Sequence, residues 1–204
     1  MELVLATRNR KKIVEIKRIA AGLPLIIDTL DDFPECPEVE EDGATFEDNA
    51  VKKAVTIAAC TGRPALADDS GLEVAALHGA PGIHSARYAG EHANDAENIS
   101  KLLWEMRAID NRAARFVCCI ALAIPADGVH VFPGVVEGRI GKKPWGAHGF
   151  GYDPVFYPSG SERTFAEMDD DEKDAVSHRG RSLRALKHFL EQWFSGKGYS
   201  GGKT

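Results

Sequence analysis

Hydrophobic and polar positions alternate in blocks over the first third of the chain. Residues 3–6 form an apolar run of strand length, and residues 11–21 then place apolar side chains at the spacing of one helix face. Gly22 and Pro24 end this segment, and residues 25–27 form a second apolar run. A strand, a helix and a second strand in this order predict an α/β fold.

Two polar pairs mark the starts of further helices. Thr45 with Asp48, and Asn94 with Glu97, have the spacing of capping boxes, in which two side chains satisfy free backbone N–H groups at a helix start. They predict helices that end near residues 60 and 106. Between them, residues 64–67 predict a short strand that ends just before Asp68.

The second half of the chain predicts a long hairpin and a closing helix. Residues 115–124 and 129–140 are rich in β-forming residues, and the Asp127-Gly128 pair between them is a strong hairpin signal. Residues 179–194 carry large apolar side chains on one helix face. We therefore expect a two-lobed, elongated α/β fold around a long mixed or antiparallel β-sheet.

Length and composition are those of one domain. The chain has 204 residues, of which 44% are hydrophobic and 27% are charged, so it can bury a core without disulfide or metal support. We assign residues 1–194 to a single two-lobed domain and predict that residues 195–204, rich in Gly, Ser and Lys, are disordered. No stretch reaches the roughly 18 apolar residues that span a bilayer.

Charge and cysteine content narrow the functional classes. A net charge of −6 disfavours nucleic-acid binding, which needs a basic face, but permits a local basic site for a small anion. The four cysteines, Cys36, Cys60, Cys118 and Cys119, form no C-x-x-C pair, so we expect buried free thiols in a reducing cytoplasm. Cys118 and Cys119 are neighbours on a predicted strand and should face opposite sides.

Two adjacent carboxylates, Asp68 and Asp69, follow the predicted strand at 64–67. Open α/β sheets bind ligands at such strand ends, and neighbouring carboxylates repel each other unless a cation or a shared proton offsets them. Mg²⁺ is a common solution because it binds one or two carboxylates together with phosphate oxygens. A solvated turn is the alternative, since Asp, Ser and Gly also favour turns.

Three other segments are candidates for ligand binding. The basic cluster at 8–12 lies at a strand-to-helix junction, which suits phosphate. The segment 28–48 has ten carboxylates and no Lys or Arg, and one carboxylate there could be a second metal ligand. The loop 149–154 carries Phe150 and Tyr152, whose rings could stack on a nucleobase. For the basic cluster and the acidic segment, the alternative is solvated surface charge. For the loop 149–154, the alternative is packing of the two rings in the core.

Six motifs occur in a characteristic order along the chain. They are Thr7-x-Asn9-x-x-Lys12, Glu41-Asp42-Gly43-Ala44-Thr45-Phe46 with Asn49-Ala50, Ala67-Asp68-Asp69-Ser70-Gly71-Leu72, Gly79-Ala80-Pro81-Gly82-Ile83 with Ser85-Ala86-Arg87-Tyr88, Gly149-Phe150-Gly151-Tyr152-Asp153-Pro154 and Ser177-His178-Arg179. Together they resemble the inosine triphosphate pyrophosphatase family, the non-canonical purine nucleoside triphosphate pyrophosphatases, over residues 3–194. The resemblance implies a Mg²⁺-dependent homodimeric enzyme, with an active cleft between two lobes. It would convert ITP, dITP and XTP to the monophosphate and pyrophosphate and so cleanse the nucleotide pool.

The resemblance also implies a role for individual residues. Asp69 would be the catalytic acidic residue, which activates water and binds Mg²⁺. Glu41 would be the second metal ligand, and its neighbour Glu40 is the alternative. The residues implied at the triphosphate are Thr7, Asn9, Lys12 and Lys53, with Arg8, Arg10 and Lys11 beside them and Ser70 next to Asp69. Those implied at the base are Phe150, which would stack on it, Gly151, Tyr152 and Asp153 in the same wall, and Lys173, His178 and Arg179 at the purine edge.

Two other functions remain open at this point. A phosphatase built on Asp68 and Asp69 would release orthophosphate, although the acidic motif of such enzymes usually follows the first strand. A non-catalytic nucleotide or single-strand binder would use Phe150 and Tyr152 as a platform without turnover. We expect purine nucleoside triphosphates as ligands, no nucleic-acid or membrane partner, and a cytoplasmic location.

Overall fold

A mixed β-sheet forms the centre of the computed structural model, which describes residues 1–23 and 25–196. Its strands are β1 (Glu2–Leu5), β2 (Ile26–Thr29), β3 (Ala65–Val74), β4 (Ala113–Ile124), β5 (Gly128–Ile140) and β6 (Phe156–Pro158). They lie in the order β2-β1-β3-β4-β5-β6. β1 is parallel to β2 and β3, and the other neighbours are antiparallel. The predicted α/β class with a long mixed sheet is confirmed.

Helices pack on the two faces of this sheet. The described residues form α1 (Arg10–Ile19), α2 (Phe46–Thr61), α3 (Asp95–Glu105), α4 (Asp170–Val176) and α5 (His178–Gly196). On β4, Cys119 and Ala121 pack with α2, whereas Cys118 and Ile120 pack with α1 and α5. Successive side chains of a strand face opposite ways, so the orientation predicted for the two cysteines is confirmed.

β3 is longer than the sequence predicts, which places the acidic pair inside the strand. It runs over Ala65–Val74 and pairs with β4 along its whole length, while β1 accompanies only its first two residues. Pairing with β4 outweighs the local turn preference of Ser70 and Gly71. Asp68 and Asp69 therefore lie mid-strand, just beyond the carboxyl end of β1, where the sheet leaves room for a ligand.

The other predicted elements agree with the structure to within about two residues, the usual uncertainty of element ends. β6 and α4 have no counterpart in the sequence prediction, because such short elements carry little periodicity. α5 extends to Gly196, so the first two residues of the predicted tail are helical, and residues 197–204 lie outside the described residues. The two-lobed shape stays a prediction. Of the helices described, none has the length and apolar character needed to cross a membrane.

The prediction of four free thiols is wrong for one pair. Cys36, in the acidic segment after β2, and Cys60, near the end of α2, form a disulfide with their Cα atoms 5.8 Å apart. Their separation of 24 residues has no local signature, and only the packing of the acidic segment against α2 brings them together. Cys118 and Cys119 are free and buried, as predicted.

The first turn of α5 packs so closely against α4 and β5 that the contact positions must be glycine. A Cβ atom added to Gly180 would lie 1.9 Å from the carbonyl oxygen of Asp174 in α4. A Cβ atom added to Gly134 of β5 would lie 2.2 Å from the carbonyl oxygen of His178. These contacts hold the first turn of α5, which carries His178 and Arg179, close to α4 and to β5 of the sheet.

We expect the substitution Gly180→Ala to destabilise the protein. Alanine is normally favoured over glycine inside a helix by about 1 kcal/mol, but here overpacking against a backbone carbonyl should cost roughly 1–3 kcal/mol. The midpoint of thermal unfolding, followed by circular dichroism, should therefore fall. Gly196→Ala is the matched control in the same helix, because nothing lies within 4 Å of its added Cβ atom. Equal midpoints for the two variants would contradict the close packing.

Candidate active site

A cleft of about 440 Å³ opens where β1 ends beside β3 and where α1 and α5 begin. Ligand pockets typically measure about 300–1,000 Å³, so the cleft has the size of a small-molecule site. Its lining includes the predicted residues Thr7, Arg8, Asn9, Lys12, Glu41, Lys53, Asp69, Ser70, Phe150, Gly151, Tyr152, Asp153, Lys173, His178 and Arg179. Two predicted residues are not in the lining: Arg10 is exposed, and Lys11 forms an ion pair with Asp95 of α3.

The N-terminus of α1 forms one end of the cleft. The Asn9 side chain caps this helix, and its Oδ1 atom accepts hydrogen bonds from the backbone N–H groups of Lys11 at 3.0 Å and Lys12 at 3.3 Å. Thr7 Oγ1 accepts a hydrogen bond from the N–H group of Asn9 at 3.2 Å. The first turn of α1 contains no acidic residue. The positive end of the helix dipole and the basic side chains therefore reinforce each other as an anion site.

The adjacent carboxylates of β3 face opposite sides of the sheet and have different partners. Asp68 is buried and forms ion pairs with Lys12 and with Arg179, whose Nε atom lies 3.0 Å from Oδ2. Burial by itself raises the pKa of Asp68, but Arg179 and Lys12 together lower it more, so this pKa lies well below the usual range. Asp68 thus stays an anion.

Asp69 faces α2 and contacts Lys53 and Asn49. Its Oδ1 atom lies 3.2 Å from Lys53 Nζ, and its Oδ2 atom accepts a hydrogen bond from Asn49 Nδ2 at 3.2 Å. Burial raises the pKa of Asp69, Lys53 opposes this, and the net result is a raised pKa. A carboxylate with a raised pKa accepts a proton more readily than an ordinary aspartate, which is the property of a general base.

Lys53 lies on the buried face of α2 and joins the acidic segment to β3. Its Nζ atom donates to Glu41 Oε1 at 2.5 Å and to the backbone carbonyl of Asp68 at 2.8 Å, in addition to its contact with Asp69. Lys52 is on the exposed side of the helix and pairs with Asp42. Lys53 therefore points into the cleft and Lys52 away from it, and Glu41, not the exposed Glu40, reaches the cleft.

A second group of buried charges supports the opposite wall. Lys173 Nζ lies 2.8 Å from Glu15 Oε1 and 2.7 Å from Asp153 Oδ2. Arg179 also pairs with Glu15, and its Nη2 atom donates to Ser70 Oγ at 2.9 Å. Burial lowers the pKa of Lys173, but the two carboxylates raise it more, so the lysine stays charged. Because each buried charge has an opposite partner, the cost of removing it from water is offset.

The loop that carries Phe150 forms the other end of the cleft. The backbone N–H group of Phe150 donates to Asp153 Oδ2 at 2.8 Å. Three cations lie over its ring, at 5.6 Å for Lys11, 5.1 Å for Lys173 and 5.6 Å for Arg179. Tyr152 is buried, and its hydroxyl donates to the carbonyl of Ser85 at 2.9 Å, so Tyr152 supports the wall from behind. The Phe150 ring is thus suited to stack on a planar ligand.

His178 enters the cleft as a neutral imidazole. Burial, and next the charge of Arg179, lower its pKa well below the usual range. Its ring stacks on Phe116 with centroids 4.6 Å apart. Among the buried side-chain polar atoms described, His178 Nδ1 alone has no hydrogen-bond partner. Buried polar atoms rarely lack a partner, so this nitrogen points to a ligand group.

Three further polar residues belong to the site: Glu15 and Asp95 lie outside the six motifs, and Asn49 lies in one without a predicted role. The buried Asn49 accepts a hydrogen bond from the N–H group of Gly43 at 2.8 Å while it donates to Asp69, so it links the acidic segment to β3. Glu15 and Asn49 are polar residues on the buried faces of α1 and α2, a signal that could have identified them. Asp95 is recognisable from sequence only as part of a helix start.

Comparisons with known proteins identify relatives that match most of this chain. A dITP/XTP pyrophosphatase of Syntrophobacter fumaroxidans is 53% identical over 190 residues, which cover 93% of this chain and 82% of that protein. A dITP/XTP pyrophosphatase of Geobacter sulfurreducens is also 53% identical over 190 residues, 92% of this chain and 96% of that protein.

A solved HAM1 protein structure from Coxiella burnetii has 45% sequence identity and a TM-score of 0.86, and the match covers 94% of this chain and 99% of that one. The family model described as the Ham1 family matches residues 3–189, a range that contains all six motifs. The family resemblance predicted from those motifs is confirmed, and the chain belongs to the Ham1 family.

Proposed function

We propose that this chain hydrolyses ITP, dITP and XTP to the nucleoside monophosphate and pyrophosphate, and thereby removes non-canonical purines from the nucleotide pool. Membership of a family whose relatives are named dITP/XTP pyrophosphatases makes the chain a nucleoside triphosphate pyrophosphatase. One observation carries the finer proposal: a single cleft contains Asp69, the cations of Lys12 and Lys53, and the Phe150 ring.

The triphosphate binds at the α1 end of the cleft in this proposal. A triphosphate carries about four negative charges, and the leaving pyrophosphate must be stabilised by cations. Lys12 and Lys53 supply two of them, and the capped turn of α1 positions Thr7 and Asn9 for hydrogen bonds to phosphate oxygens. Asp69 accepts the proton of the water that attacks the α-phosphorus, and Lys53 and Asn49 hold its carboxylate in position for this role.

Asp69 and Glu41 fit a bound Mg²⁺ ion. Both are carboxylates, and the same lysine ammonium group lies within hydrogen-bond distance of each. Within residues 1–23 and 25–196, no three His, Cys, Asp or Glu side chains are grouped as a metal site. Mg²⁺ takes one or two protein carboxylates and completes its shell with water and substrate phosphate, so a pair of carboxylates can be sufficient. When bound, the ion would supply positive charge beside the phosphate oxygens.

The base stacks on Phe150, and selectivity arises at the purine edge. His178 is neutral, so it can present one ring N–H group in a suitable tautomer, and Arg179 presents only N–H donors. A 6-oxo purine accepts hydrogen bonds from such donors. The 6-amino group of adenine would leave them unpaired, which disfavours ATP.

A homodimer, a cytoplasmic location and the lack of a nucleic-acid partner stay predictions. The location rests partly on the expectation of free thiols, and the Cys36–Cys60 disulfide removes part of that basis.

Product analysis tests the reaction and its metal dependence. We expect pyrophosphate from ITP and XTP in the presence of Mg²⁺, little product from ATP, and none from any of them with excess EDTA. Pyrophosphate and orthophosphate should be assayed separately. Orthophosphate as the direct product would favour the phosphatase alternative, and nucleotide binding without any product would favour the non-catalytic one.

We expect Asp69→Asn to lower kcat for ITP by about 10²- to 10⁴-fold, the usual contribution of a general base. The fold should persist, because Lys53 retains Glu41 and the Asp68 carbonyl as partners. Asp42→Asn is the matched control, since it removes an exposed carboxylate that pairs with Lys52. Near wild-type turnover by Asp69→Asn in a steady-state assay would remove Asp69 from the reaction.

We expect Phe150→Ala to raise KM for ITP by about 5- to 160-fold, because base–aromatic stacking contributes roughly 1–3 kcal/mol. Trp145→Ala, in the same exposed loop but outside the cleft lining, is the control for a general loss of loop order. An unchanged KM in Phe150→Ala, or an equal rise in Trp145→Ala, would show that Phe150 does not stack on the base.

A further inference from the structure

One carboxylate oxygen links three distant parts of the chain at the exposed end of the cleft. Asp95 Oδ2, at the start of α3, accepts a hydrogen bond from the Lys11 ammonium group at 2.9 Å. The same oxygen accepts a hydrogen bond from the backbone N–H group of Gly151 at 2.9 Å. Asp95 therefore connects the first turn of α1 and the first turn of α3 to the loop that carries Phe150.

The direction of the Phe150 ring depends on the backbone on either side of it. Gly149 and Gly151 both have positive φ values, of 72° and 60°, in the left-handed region that favours glycine. Two carboxylates hold this flexible backbone: Asp153 accepts from the N–H group of Phe150, and Asp95 accepts from that of Gly151. The N–H groups of Ala147 and His148 and the Tyr152 hydroxyl hold the loop further from the ring, so the bond to Asp95 fixes the residue directly after Phe150.

The two anchors differ in their access to water. Asp153 is buried and paired with Lys173, so this anchor is shielded from water. The Asp95 and Lys11 side chains are 48% and 58% exposed, so their ion pair is weak. Asp95 is thus the more solvent-accessible of the two carboxylates that bond the Phe150 loop.

We propose that Asp95 is a positioning residue for the nucleobase, acting through the Gly151 backbone, and that Lys11 orients its carboxylate. The proposal rests on the proposed function, because it assumes that a base stacks on Phe150. Asp95 contacts Lys11 and Gly151, whereas the proposed reacting carboxylate is Asp69 on β3, so the loss of Asp95 should weaken substrate binding and leave the chemical step unchanged.

Two substitutions at Asp95 separate its hydrogen bond from its charge. Asp95→Asn keeps an oxygen that accepts the Gly151 N–H bond but loses the ion pair, whereas Asp95→Ala loses both. Both variants remove the same negative charge from the helix start, and both keep the Asn94–Glu97 capping box, so α3 should form in each. Any difference between the variants therefore reports on the bond to Gly151.

We expect Asp95→Ala to raise KM for ITP roughly tenfold with kcat changed less than about twofold, and Asp95→Asn to restore most of the loss. Lys11→Met should raise KM by less than Asp95→Ala, because an exposed ion pair contributes little. A fall in kcat rather than a rise in KM, or equal KM values for Asp95→Ala and Asp95→Asn, would overturn the proposal.

Amide hydrogen exchange without nucleotide tests the positioning separately from the proposed function. In Asp95→Ala, the Gly151 amide should exchange about tenfold faster than in the wild type, while the Phe150 amide, bonded to Asp153, serves as the internal control. Asp95→Asn should protect Gly151. Unchanged Gly151 exchange in Asp95→Ala would refute the anchor, whereas a wild-type protein that does not cleave ITP would refute the proposed function alone.

Discussion

The buried Arg179 guanidinium is the charge on which the cleft depends. It pairs with Asp68 on β3 and with Glu15 on α1, and it thereby joins the first turn of α5 to the sheet and to a helix more than 160 residues earlier in the chain. Arg179 is only 2% exposed, and breaking such a buried pair by removing one partner typically costs about 3–5 kcal/mol. Because Arg179 is anchored in this way, the adjacent His178 is held in the cleft.

Two neighbouring aspartates obtain opposite chemistry from the two faces of one strand. Asp68 faces two cations, and its pKa is held well below the usual range. Asp69 faces α2, where burial outweighs the effect of Lys53 and raises its pKa. Environments that move the pKa values of two carboxyl groups apart typically mark one as a structural anion and the other as a proton acceptor. Both residues are aspartates, so the difference between them arises because successive side chains of β3 face opposite sides of the sheet.

The two ends of the cleft differ in rigidity. Around Asp69, contacts from a buried lysine and from Asn49 fix the carboxylate, as a reacting group requires. Around Phe150, one anchor is the buried Asp153 and the other is the half-exposed Asp95. In the proposed function, the reacting carboxylate is thus held by buried partners, whereas the wall that stacks on the base depends partly on a solvent-exposed one.

The sequence alone determined the local structure and the family. Periodicity, the capping box of Thr45 and Asp48, and the Asp-Gly turn act over a few residues, so they predict the helices and the β4–β5 hairpin. The ordered motifs identified most of the cleft residues before their positions were known. Only the tertiary structure decided which side chains meet: Arg179 and Asp68 are 111 residues apart, and neither residue type specifies the other. Burial, strand pairing and charge partners depend on such distant contacts, and they set the length of β3, the neutral state of His178 and the role of Asp95.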